Sequence, residues 1–274
     1  MIRLAVFGQP IAHSLSPDIH RQFASQFGLA IDYRAIESSL AEFPGKLREL
    51  QVAGGLGCNV TVPLKHAAFA AARELSPAAE QAQAVNTLLF RGKDDWYGTT
   101  TDGDGLLRDL QRLLPEKLAG KRILLIGAGG AAAGLVGTLL QQSPARLLIV
   151  NRDAGKATDL ALRFADFRPV SACSLQDSQE QGPFDLIINA TSLGHQGKAP
   201  PLHPGWLVAD SFCYDLNYGR AAQPWQAACT SRGISFSDGL GMLVEQAALS
   251  FEIWTGKQPE TFEVLMALRQ QLAA

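Results

Sequence analysis

The sequence predicts an α/β fold of two lobes, the second of them a doubly wound, Rossmann-like sheet. Three observations predict it. The chain has 274 residues, which is long for a single hydrophobic core. Short apolar segments alternate with helical ones along the chain, as in βαβ units. A glycine-rich turn, IGAGGAAAG from Ile126 onward, follows an apolar strand and opens a helix.

The first lobe contains strand and helix signals in alternation. The predicted strands are LAVFG, IDYRAIE and GCNVTV, and the predicted helices cover Pro17 to Phe27, Phe43 to Gln51 and a segment after Pro63. The segments AVNTLLF and DWYGTTTD then predict a pair of strands joined near Gly92 to Asp94. We expect this lobe, residues 1–102, to form one α/β domain.

The second lobe begins with a helix predicted over Gly103 to Leu114, which carries its leucines on one face. RILLIG, RLLIVNR, FDLIINATS and LVADSFCYDLNY then read as compact strands, each followed by a turn or a helix. This predicts a Rossmann-like domain over residues 103–238. Helices predicted over Gly239 to Gly256 and Glu260 to Leu272 are expected to pack back on the first lobe, so residues 239–274 are assigned to it.

Composition argues against several functional classes. A formal net charge of -2, with 47% hydrophobic and 18% charged residues, provides no basic excess for nucleic acid. The apolar start is too short for a signal peptide, and no apolar run is long enough to span a membrane. Cys58, Cys173, Cys213 and Cys229 form no CxxC pair, so we expect buried free thiols, no metal site and a cytoplasmic location.

The glycine-rich turn fits a dinucleotide phosphate site. Gly127, Gly129 and Ala132 form the pattern GxGxxA between a strand and an alanine-rich helix. The first glycine permits a tight turn, the second lets a pyrophosphate approach the backbone, and the small third residue allows close helix packing. The helix N-terminus adds unpaired N–H groups and a positive dipole end. The sequence therefore predicts dinucleotide binding here.

The residues after the next strand favour NADP over NAD. NAD-binding folds usually place a carboxylate there, on the ribose hydroxyls, whereas this chain has Asn151 and Arg152. A guanidinium can bind the 2′-phosphate of NADP bidentately, although Arg152 could also be an ordinary solvated arginine. An inward Asp153 would oppose the phosphate, and Lys156 could offset that charge. NADP is therefore the favoured cofactor, and NAD stays an alternative.

Several polar residues of the first lobe are candidates for a site facing the cofactor. They are Ser14, Ser16, Asn59, Thr61, Lys65, Asn86 and Asp102. Each also has an ordinary alternative when it is taken singly. Ser16 could cap the following helix, Asn86 could hold a turn, and Lys65 could be a surface lysine.

Nine segments, in order, resemble the signatures of the shikimate dehydrogenase family across essentially the whole chain. They are FGQPIAHSLSP, GCNVTVPLK, AVNT, TDGDG, GAGGAAAG, NR, NATSLG, YDLNY and DGLGMLVEQA. The resemblance implies a two-lobed enzyme that reversibly reduces 3-dehydroshikimate to shikimate with NADPH, on the pathway to chorismate and the aromatic amino acids. We expect its active site in the groove between the lobes.

The resemblance also implies roles for individual residues. Ser14 and Ser16 would hold the substrate carboxylate, assisted by Tyr218. Lys65 would be the catalytic lysine and Asp102 its acidic partner. The residues implied to hydrogen-bond the ring hydroxyls are Thr61, Asn86, Asp102 and Gln246. The residues implied to bind the cofactor are Gly127, Ala128, Gly129, Gly130, Ala131, Asn151, Arg152, Lys156, Thr191, Leu216, Gly239 and Met242, the last two on the nicotinamide side.

A lysine suits the implied chemistry, because oxidation of an alcohol releases the hydroxyl proton together with the hydride. A positioned amine can accept that proton and return it in the reverse reaction. Lys65 is the candidate for this role, and the alternative is that it only hydrogen-bonds the substrate oxygen.

The chain departs from the usual family pattern at several positions. Thr100 stands where asparagine is common, in the loop that carries Asp102; Leu64, Gln223 and Asp153 also differ. Two alternatives therefore stay open: a quinate/shikimate dehydrogenase with NAD or dual cofactor use, and a non-catalytic sensor of a nucleotide or metabolite. The partner is expected to be a small-molecule substrate, and the protein a monomer or a homodimer.

Overall fold

A computed structural model describes residues 1–114, 116–166 and 169–273. Ala274, the last residue of the segment assigned to the first lobe, lies outside the described residues. The chain divides into two compact units, one formed by Met1–Leu106 with Leu243–Ala274 and the other by Leu107–Met242. Each unit has its own six-stranded sheet, which confirms the predicted α/β fold.

The N-terminal part of the chain alternates strands and helices as far as the fifth helix. Its elements are β1 (Ile2–Gly8), α1 (Ser16–Gln26), β2 (Ile31–Glu37), α2 (Phe43–Val52), β3 (Gly55–Val60), α3 (Lys65–Ala71), β4 (Glu74–Leu75), α4 (Pro77–Ala82), β5 (Thr87–Gly92), β6 (Asp95–Thr99) and α5 (Asp102–Leu113).

The remaining elements follow the same rhythm. They are β7 (Arg122–Ile126), α6 (Gly130–Gln141), β8 (Arg146–Asn151), α7 (Ala154–Leu162), β9 (Val170–Ser174), β10 (Leu186–Asn189), β11 (Phe212–Asp215), α8 (Gln223–Thr230), β12 (Ser235–Ser237), α9 (Leu240–Thr255) and α10 (Phe262–Ala273).

The sheet of the first unit has the strand order β2-β1-β3-β5-β6-β4. Strands β2, β1 and β3 are parallel, whereas β5 is antiparallel to both β3 and β6, so the predicted strand pair is confirmed. The side chains of β1 alternate between two buried clusters, with Ala5 and Phe7 in one and Leu4 and Val6 in the other. This alternation follows from the two-residue period of a strand and explains why β1 reads as a continuous apolar run.

The sheet of the second unit is parallel throughout, with the order β12-β11-β10-β7-β8-β9. The strand order reverses between β7 and β10, and ligands of doubly wound sheets bind at the carboxyl ends of the strands beside such a reversal. The glycine-rich turn, which follows β7, and the NATSLG segment, which follows β10, both begin at this edge.

All four cysteines are free thiols. Cys58, Cys213 and Cys229 are buried as expected, but Cys173 is only partly buried, because it lies in β9, the edge strand of the second sheet. None of the helices in the described ranges is long and apolar enough to cross a membrane. The described residues also contain no group of three acidic, histidine or cysteine side chains that could hold a metal ion.

Candidate active site

Lys65 and Asp102 form a buried ion pair inside the first unit. Lys65 is the first residue of α3 and Asp102 the first residue of α5. The Lys65 ammonium donates to Asp102 Oδ2, and only 8% and 5% of the two residues is exposed. The interpretation of Lys65 as a surface lysine is therefore wrong. A buried pair of this kind persists only where further hydrogen bonds satisfy its remaining atoms.

Asn86 supplies such a bond and joins four parts of the first unit. Its Nδ2 donates to Asp102 Oδ1 at 2.9 Å, to Thr101 Oγ1 at 2.9 Å and to Gln246 Oε1 at 3.2 Å. Its Oδ1 accepts from the Thr101 backbone N–H at 3.0 Å and from the Thr87 hydroxyl at 2.8 Å. These contacts fix the amide orientation, so Asn86 organises the site rather than a turn.

The same cluster includes residues that sequence reasoning did not identify. The Thr101 hydroxyl donates to the Gln246 carbonyl at 3.1 Å, and Ser250 Oγ lies 2.8 Å from Thr87 Oγ1. Asn59, a candidate without an assigned role, donates to Ser250 Oγ at 3.0 Å. The TTDG segment could have indicated Thr101, because it carries Asp102. Ser250 lies in an otherwise apolar stretch of α9 and gives no such signal.

Ser14 and Ser16 lie together at the start of α1. The Ser16 backbone N–H donates to Ser14 Oγ at 3.3 Å. Ser16 does not cap the helix with its side chain, because the helix begins at Ser16 itself and Leu15 is the N-cap residue. Thr61 follows β3 and is held through its backbone N–H, which donates to the Phe7 carbonyl at 2.8 Å. Thr61 and both serines therefore belong to the first unit.

The glycine-rich turn of the second unit has the geometry that a pyrophosphate requires. Gly127 has a φ of +116°, and a Cβ there would lie 2.9 Å from the Ala190 carbonyl oxygen. A Cβ at Gly129 would meet only open space. Gly130 is the first residue of α6, and the first N–H groups of this helix have no partner within the helix. They therefore lie next to the open space at Gly129, where a phosphate can approach. These residues, with the partly exposed Ala128 and Ala131, fit a dinucleotide phosphate.

The loop between β8 and α7 carries the predicted 2′-phosphate residues. Arg152 and Lys156 are exposed, and Asn151 Nδ2 donates to the Asp153 carbonyl at 3.1 Å. Asp153 is the N-cap of α7, and its carboxylate accepts from the N–H groups of Gly155 at 3.0 Å and Lys156 at 3.4 Å. Arg152 also lines an open cavity of about 360 Å³, together with Ser174, Gln176 and His203.

Three more predicted cofactor residues lie on loops at the carboxyl ends of β10, β11 and β12. Thr191 follows β10, and its carbonyl accepts from Asn217 Nδ2 at 3.0 Å. Leu216 donates its backbone N–H to the Asn189 carbonyl at 2.9 Å, and Gly239 donates its own to the Asn217 carbonyl at 2.9 Å. The structure therefore brings these three loops together.

Two further predicted residues, Tyr218 and Met242, also belong to the second unit. Tyr218 follows β11 and is partly buried, whereas Met242 lies in the first turn of α9 and is buried. The predicted substrate residues thus divide between the units, with Tyr218 in the second and the others in the first.

A buried carboxyl group, which sequence reasoning missed, joins these loops. Asp215 Oδ1 accepts from Asn189 Nδ2 at 2.9 Å and from Asn217 Nδ2 at 2.7 Å. Burial raises the pKa of Asp215 to about 6, although the hydrogen bonds from Asn217 and Asn189 oppose the rise. The sequence did contain a signal, since Asn189, Asp215 and Asn217 lie within the NATSLG and YDLNY motifs at strand ends.

Three family models match the chain. The model described as "Shikimate dehydrogenase substrate binding domain" matches residues 6–88. The model described as "Shikimate / quinate 5-dehydrogenase" matches residues 109–196, and the "Shikimate 5'-dehydrogenase C-terminal domain" matches residues 239–269. The matched segments contain Lys65 and Asn86, the glycine-rich turn and Gln246.

Individual relatives match along nearly the whole chain. The chain is 46% identical to the shikimate dehydrogenase (NADP(+)) of Dechloromonas aromatica over 98% of both chains. It resembles the crystal structure of an Ael1 enzyme from Pseudomonas putida with a TM-score of 0.87 and 37% identity, covering 98% of both chains. It resembles a shikimate 5-dehydrogenase from Thermus thermophilus, in complex with NADP(H) and shikimate, with a TM-score of 0.84 and 33% identity, covering 98% of this chain and 99% of the other. The chain therefore belongs to the shikimate dehydrogenase family.

Proposed function

We propose that this protein is an NADP-dependent shikimate dehydrogenase, which reversibly reduces 3-dehydroshikimate to shikimate, with Lys65 as the general acid and base. The observation that carries the mechanism is the buried pair of Lys65 and Asp102, which Asn86 holds in place. An ion pair costs free energy to bury, so a chemical role explains its position better than a role in stability.

In the proposed mechanism, Lys65 handles the proton of the reacting hydroxyl. During oxidation of shikimate, its amine accepts that proton, and during reduction the ammonium returns a proton to the nascent alkoxide. Asp102 orients the Lys65 side chain through their direct contact. Asn86 holds Asp102 in turn, because its amide donates to the carboxylate oxygen that does not contact Lys65.

Substrate binding is assigned to the polar residues around this pair. Asn86 and Gln246 offer amide groups to the ring hydroxyls, and Thr61 offers a hydroxyl group. Ser14 and Ser16, adjacent at the start of α1, are proposed to bind the substrate carboxylate with Tyr218 as a further donor. These hydroxyl and amide groups suit a hydroxylated ring acid, because they can donate and accept without bringing a second buried charge.

The cofactor is assigned to the second unit. Residues Gly127 to Ala131 would hold the pyrophosphate, and Asn151, Arg152 and Lys156 the adenosine 2′-phosphate. Gly239 and Met242 would line the nicotinamide half, and Thr191 and Leu216 are further cofactor residues. NADPH supplies the hydride when it is bound. The capping contacts of Asp153 hold its carboxylate against the positive end of α7, which offsets part of its repulsion of a 2′-phosphate.

We further propose that the protein works in a reducing compartment such as the cytoplasm, because all four cysteines are free. A monomer or a homodimer stays the expectation for its assembly.

The proposed reaction is tested by the formation of reduced nicotinamide, with shikimate and quinate each assayed against NADP and NAD. We expect shikimate with NADP to give the highest kcat/KM. Quinate is the necessary comparison, because one matching family model covers both substrates. A preference for quinate or NAD would contradict the proposal, and absence of turnover with every pair would contradict the assignment to the dehydrogenase reaction.

The role of Lys65 needs a variant that does not leave Asp102 as an unpaired buried charge, since such a charge destabilises a protein by about 3–5 kcal/mol. The double variant Lys65→Met with Asp102→Asn removes both charges, and the native protein is its reference. We expect the double variant to have a kcat lower by about 100-fold or more than the reference, since general acid–base catalysis contributes about 100- to 10,000-fold.

Shikimate affinity should fall much less than kcat in that comparison, because the proposed role of Lys65 is in the reaction step. The exposed Lys257→Met removes a lysine elsewhere and should retain full activity. Equal kcat values for the double variant and its reference would exclude Lys65 as the proton donor and acceptor.

A further inference from the structure

A buried hydrogen-bonded chain links α5, β11 and the start of α9 in the second unit. Asp109 of α5 and Tyr214 of β11 are both completely buried. The Tyr214 hydroxyl donates to Asp109 Oδ2 at 2.7 Å, and it accepts from the Met242 backbone N–H at 3.3 Å. The other oxygen of Asp109 accepts from Arg112. The side chains of Asp109, Tyr214 and Arg112 are not part of the site assigned above.

The Tyr214 hydroxyl satisfies a backbone group that a helix leaves open. Met242 lies in the first turn of α9, where N–H groups have no partner within the helix. Met242 itself is only 7% exposed, so loss of that acceptor would leave a donor with little access to water. Removing one partner of a buried hydrogen bond is more costly than the bond itself contributes.

Close packing adds a second restraint on the same turn. Gly241, the residue before Met242, lies directly against the Asp109 carboxylate, and a Cβ at this position would overlap the carboxylate atoms. Asp109 therefore contacts the first turn of α9 itself and also holds the hydroxyl that binds this turn. The two contacts restrain adjacent residues.

The restrained turn is continuous with the edge at which a dinucleotide is expected. Gly239 donates its backbone N–H to the Asn217 carbonyl, just after β11. The loops after β7, β10 and β11 lie at the same carboxyl edge of the parallel sheet, where such folds bind their ligands. A shift of the first turn of α9 would therefore move groups at that edge.

We propose that Asp109 and Tyr214 are positioning residues that hold the turn from Gly239 to Met242 for the nicotinamide half of the dinucleotide. The proposal rests on the proposed cofactor role of Gly239 and Met242. Tyr214 acts through the Met242 backbone, and Asp109 acts through Tyr214 and Gly241. Neither residue needs to touch the cofactor.

The test compares the affinity of the whole protein for NADP with its affinity for a 2′-phosphorylated adenosine diphosphate fragment that lacks nicotinamide. Tyr214→Phe should weaken NADP binding about 3- to 10-fold, the range expected for a lost hydrogen bond, and should leave fragment affinity within about twofold. Asp109→Ala should reproduce this loss, and Asp109→Asn, which keeps an oxygen for the Tyr214 hydroxyl, should restore most of it. Binding is measured by calorimetry without substrate, so failure of the proposed reaction would not alter the comparison.

Trp225→Phe is the matched control, because it truncates another fully buried aromatic residue of the second unit. It should lower Tm without changing the ratio of the affinity for NADP to the affinity for the fragment. An unchanged ratio in Tyr214→Phe, or an equal change in Trp225→Phe, would overturn the proposal. Met242→Ala separates the two levels of inference. A lower ratio there with a normal ratio in Tyr214→Phe rejects the positioning role alone, whereas a normal ratio in both variants rejects the nicotinamide assignment and the positioning role together.

Discussion

Asn86 shows how one side chain can fix the chemistry of its neighbours. An amide has distinct donor and acceptor ends, and every contact of Asn86 uses the end that matches it. The Nδ2 group faces Asp102, Thr101 and Gln246, and the Oδ1 atom faces donors. A flipped amide would place an oxygen against the Asp102 carboxylate. The network therefore specifies one orientation, which in turn holds Asp102 beside Lys65.

Neighbouring threonines in the loop before α5 provide a matched test of this network. The Thr100 hydroxyl is buried without a hydrogen-bond partner in the described ranges, whereas the Thr101 hydroxyl accepts from Asn86 and donates to the Gln246 carbonyl. Thr100→Val should raise the free energy of unfolding by about 1 kcal/mol, because it removes an unsatisfied buried hydroxyl without changing the shape of the side chain. Thr101→Val should lower it by about 1–3 kcal/mol, because it removes the hydrogen bonds of a buried hydroxyl with Asn86 and Gln246.

Urea unfolding of the two variants and the native protein measures both effects. Each variant is the control for the other, since both replace a hydroxyl by a methyl group at neighbouring positions. Destabilisation by Thr100→Val as large as that by Thr101→Val would contradict this description of the network.

Sequence could indicate the candidate site because its residues lie in recognisable motifs, but it could not reveal the network. Lys65, Asn86 and Asp102 were candidates from motif order alone, and the structure brings them together. Ser250 and Thr87 complete the cluster from positions 163 residues apart, a pairing that only the folded chain creates. Local patterns also gave wrong alternatives, such as a cap for Ser16, since a serine before a proline reads the same whichever residue begins the helix.

At the scale of elements, the spacing of residues within a helix places some of the residues discussed above on one face. Asp102 and Asp109 are seven residues apart in α5, which is close to two helical turns, so they project from nearly the same face. Met242 and Gln246 are four residues apart in α9 and are neighbours on that helix in the same way. Asp102 contacts Lys65 within the first unit, and Asp109 contacts Tyr214 within the second.

The start of α7 connects helix stability with cofactor choice. Asp153 caps this helix through its carboxylate, and it neighbours Arg152, the proposed ligand of the 2′-phosphate. Asp153→Thr keeps an oxygen that can cap the helix but removes the negative charge. We expect it to raise kcat/KM for NADP relative to NAD several-fold, because a like charge near the phosphate is removed. Stability should change by only a few tenths of a kcal/mol.

Asp153→Ala is the matched control, because it removes the charge and the cap together. It should shift the cofactor ratio in the same direction and lower the free energy of unfolding by about 1 kcal/mol. Steady-state kinetics with both cofactors and urea unfolding provide the two readouts. An unchanged ratio in both variants would show that the Asp153 charge does not affect the phosphate.

Strongly apolar strands and long helices were predictable, whereas strands with few apolar residues were not. β7 and β8 are continuous apolar runs and were predicted directly. β4 and β12 were missed, because Glu74–Leu75 and Ser235–Ser237 have too few residues to show a period. β9 was missed because its sequence, VSACS, contains no apolar run. α4 did carry a signal, since Ser76 precedes Pro77 and caps the helix by accepting from Ala79.

At the scale of the whole molecule, each unit contains a buried titratable group, and the two groups change stability with pH in opposite directions. In the first unit, His20 is completely buried and stacks on Tyr33 at 4.3 Å between ring centroids. Burial lowers the pKa of His20 to about 3, an effect that nearby Asn59 only partly offsets. The unfolded chain binds a proton below its ordinary pKa of 6.5, while the folded unit does not. Stability of this unit therefore falls as the pH falls from 6.5 towards 3.

Asp215 has the opposite effect in the second unit. Its pKa rises from 3.8 to about 6, mainly because the carboxyl group is buried. Between these values the folded unit keeps a proton that the unfolded chain has released. The contribution of Asp215 to stability is therefore complete below pH 3.8 and is lost as the pH rises to 6. Either group can change the free energy of unfolding by at most about 1.4 kcal/mol per pH unit.

These opposite pH dependences predict that acidification from pH 6 to 4.5 destabilises the first unit and stabilises the second. The window stays above 4.5, the ordinary pKa of Glu42, whose lowered pKa would otherwise add to the acid sensitivity of the first unit. The protein is equilibrated in urea at each pH and then labelled briefly with deuterium at one common pH, so that peptides report the unfolding midpoint of each unit.

His20→Phe should remove the pH dependence of the first unit alone, since a phenyl ring keeps the aromatic packing without a titratable group. Asp215→Asn should remove that of the second unit alone. Midpoints that move in the same direction in both units, or a variant that changes the unit it does not belong to, would show that other groups control the acid response.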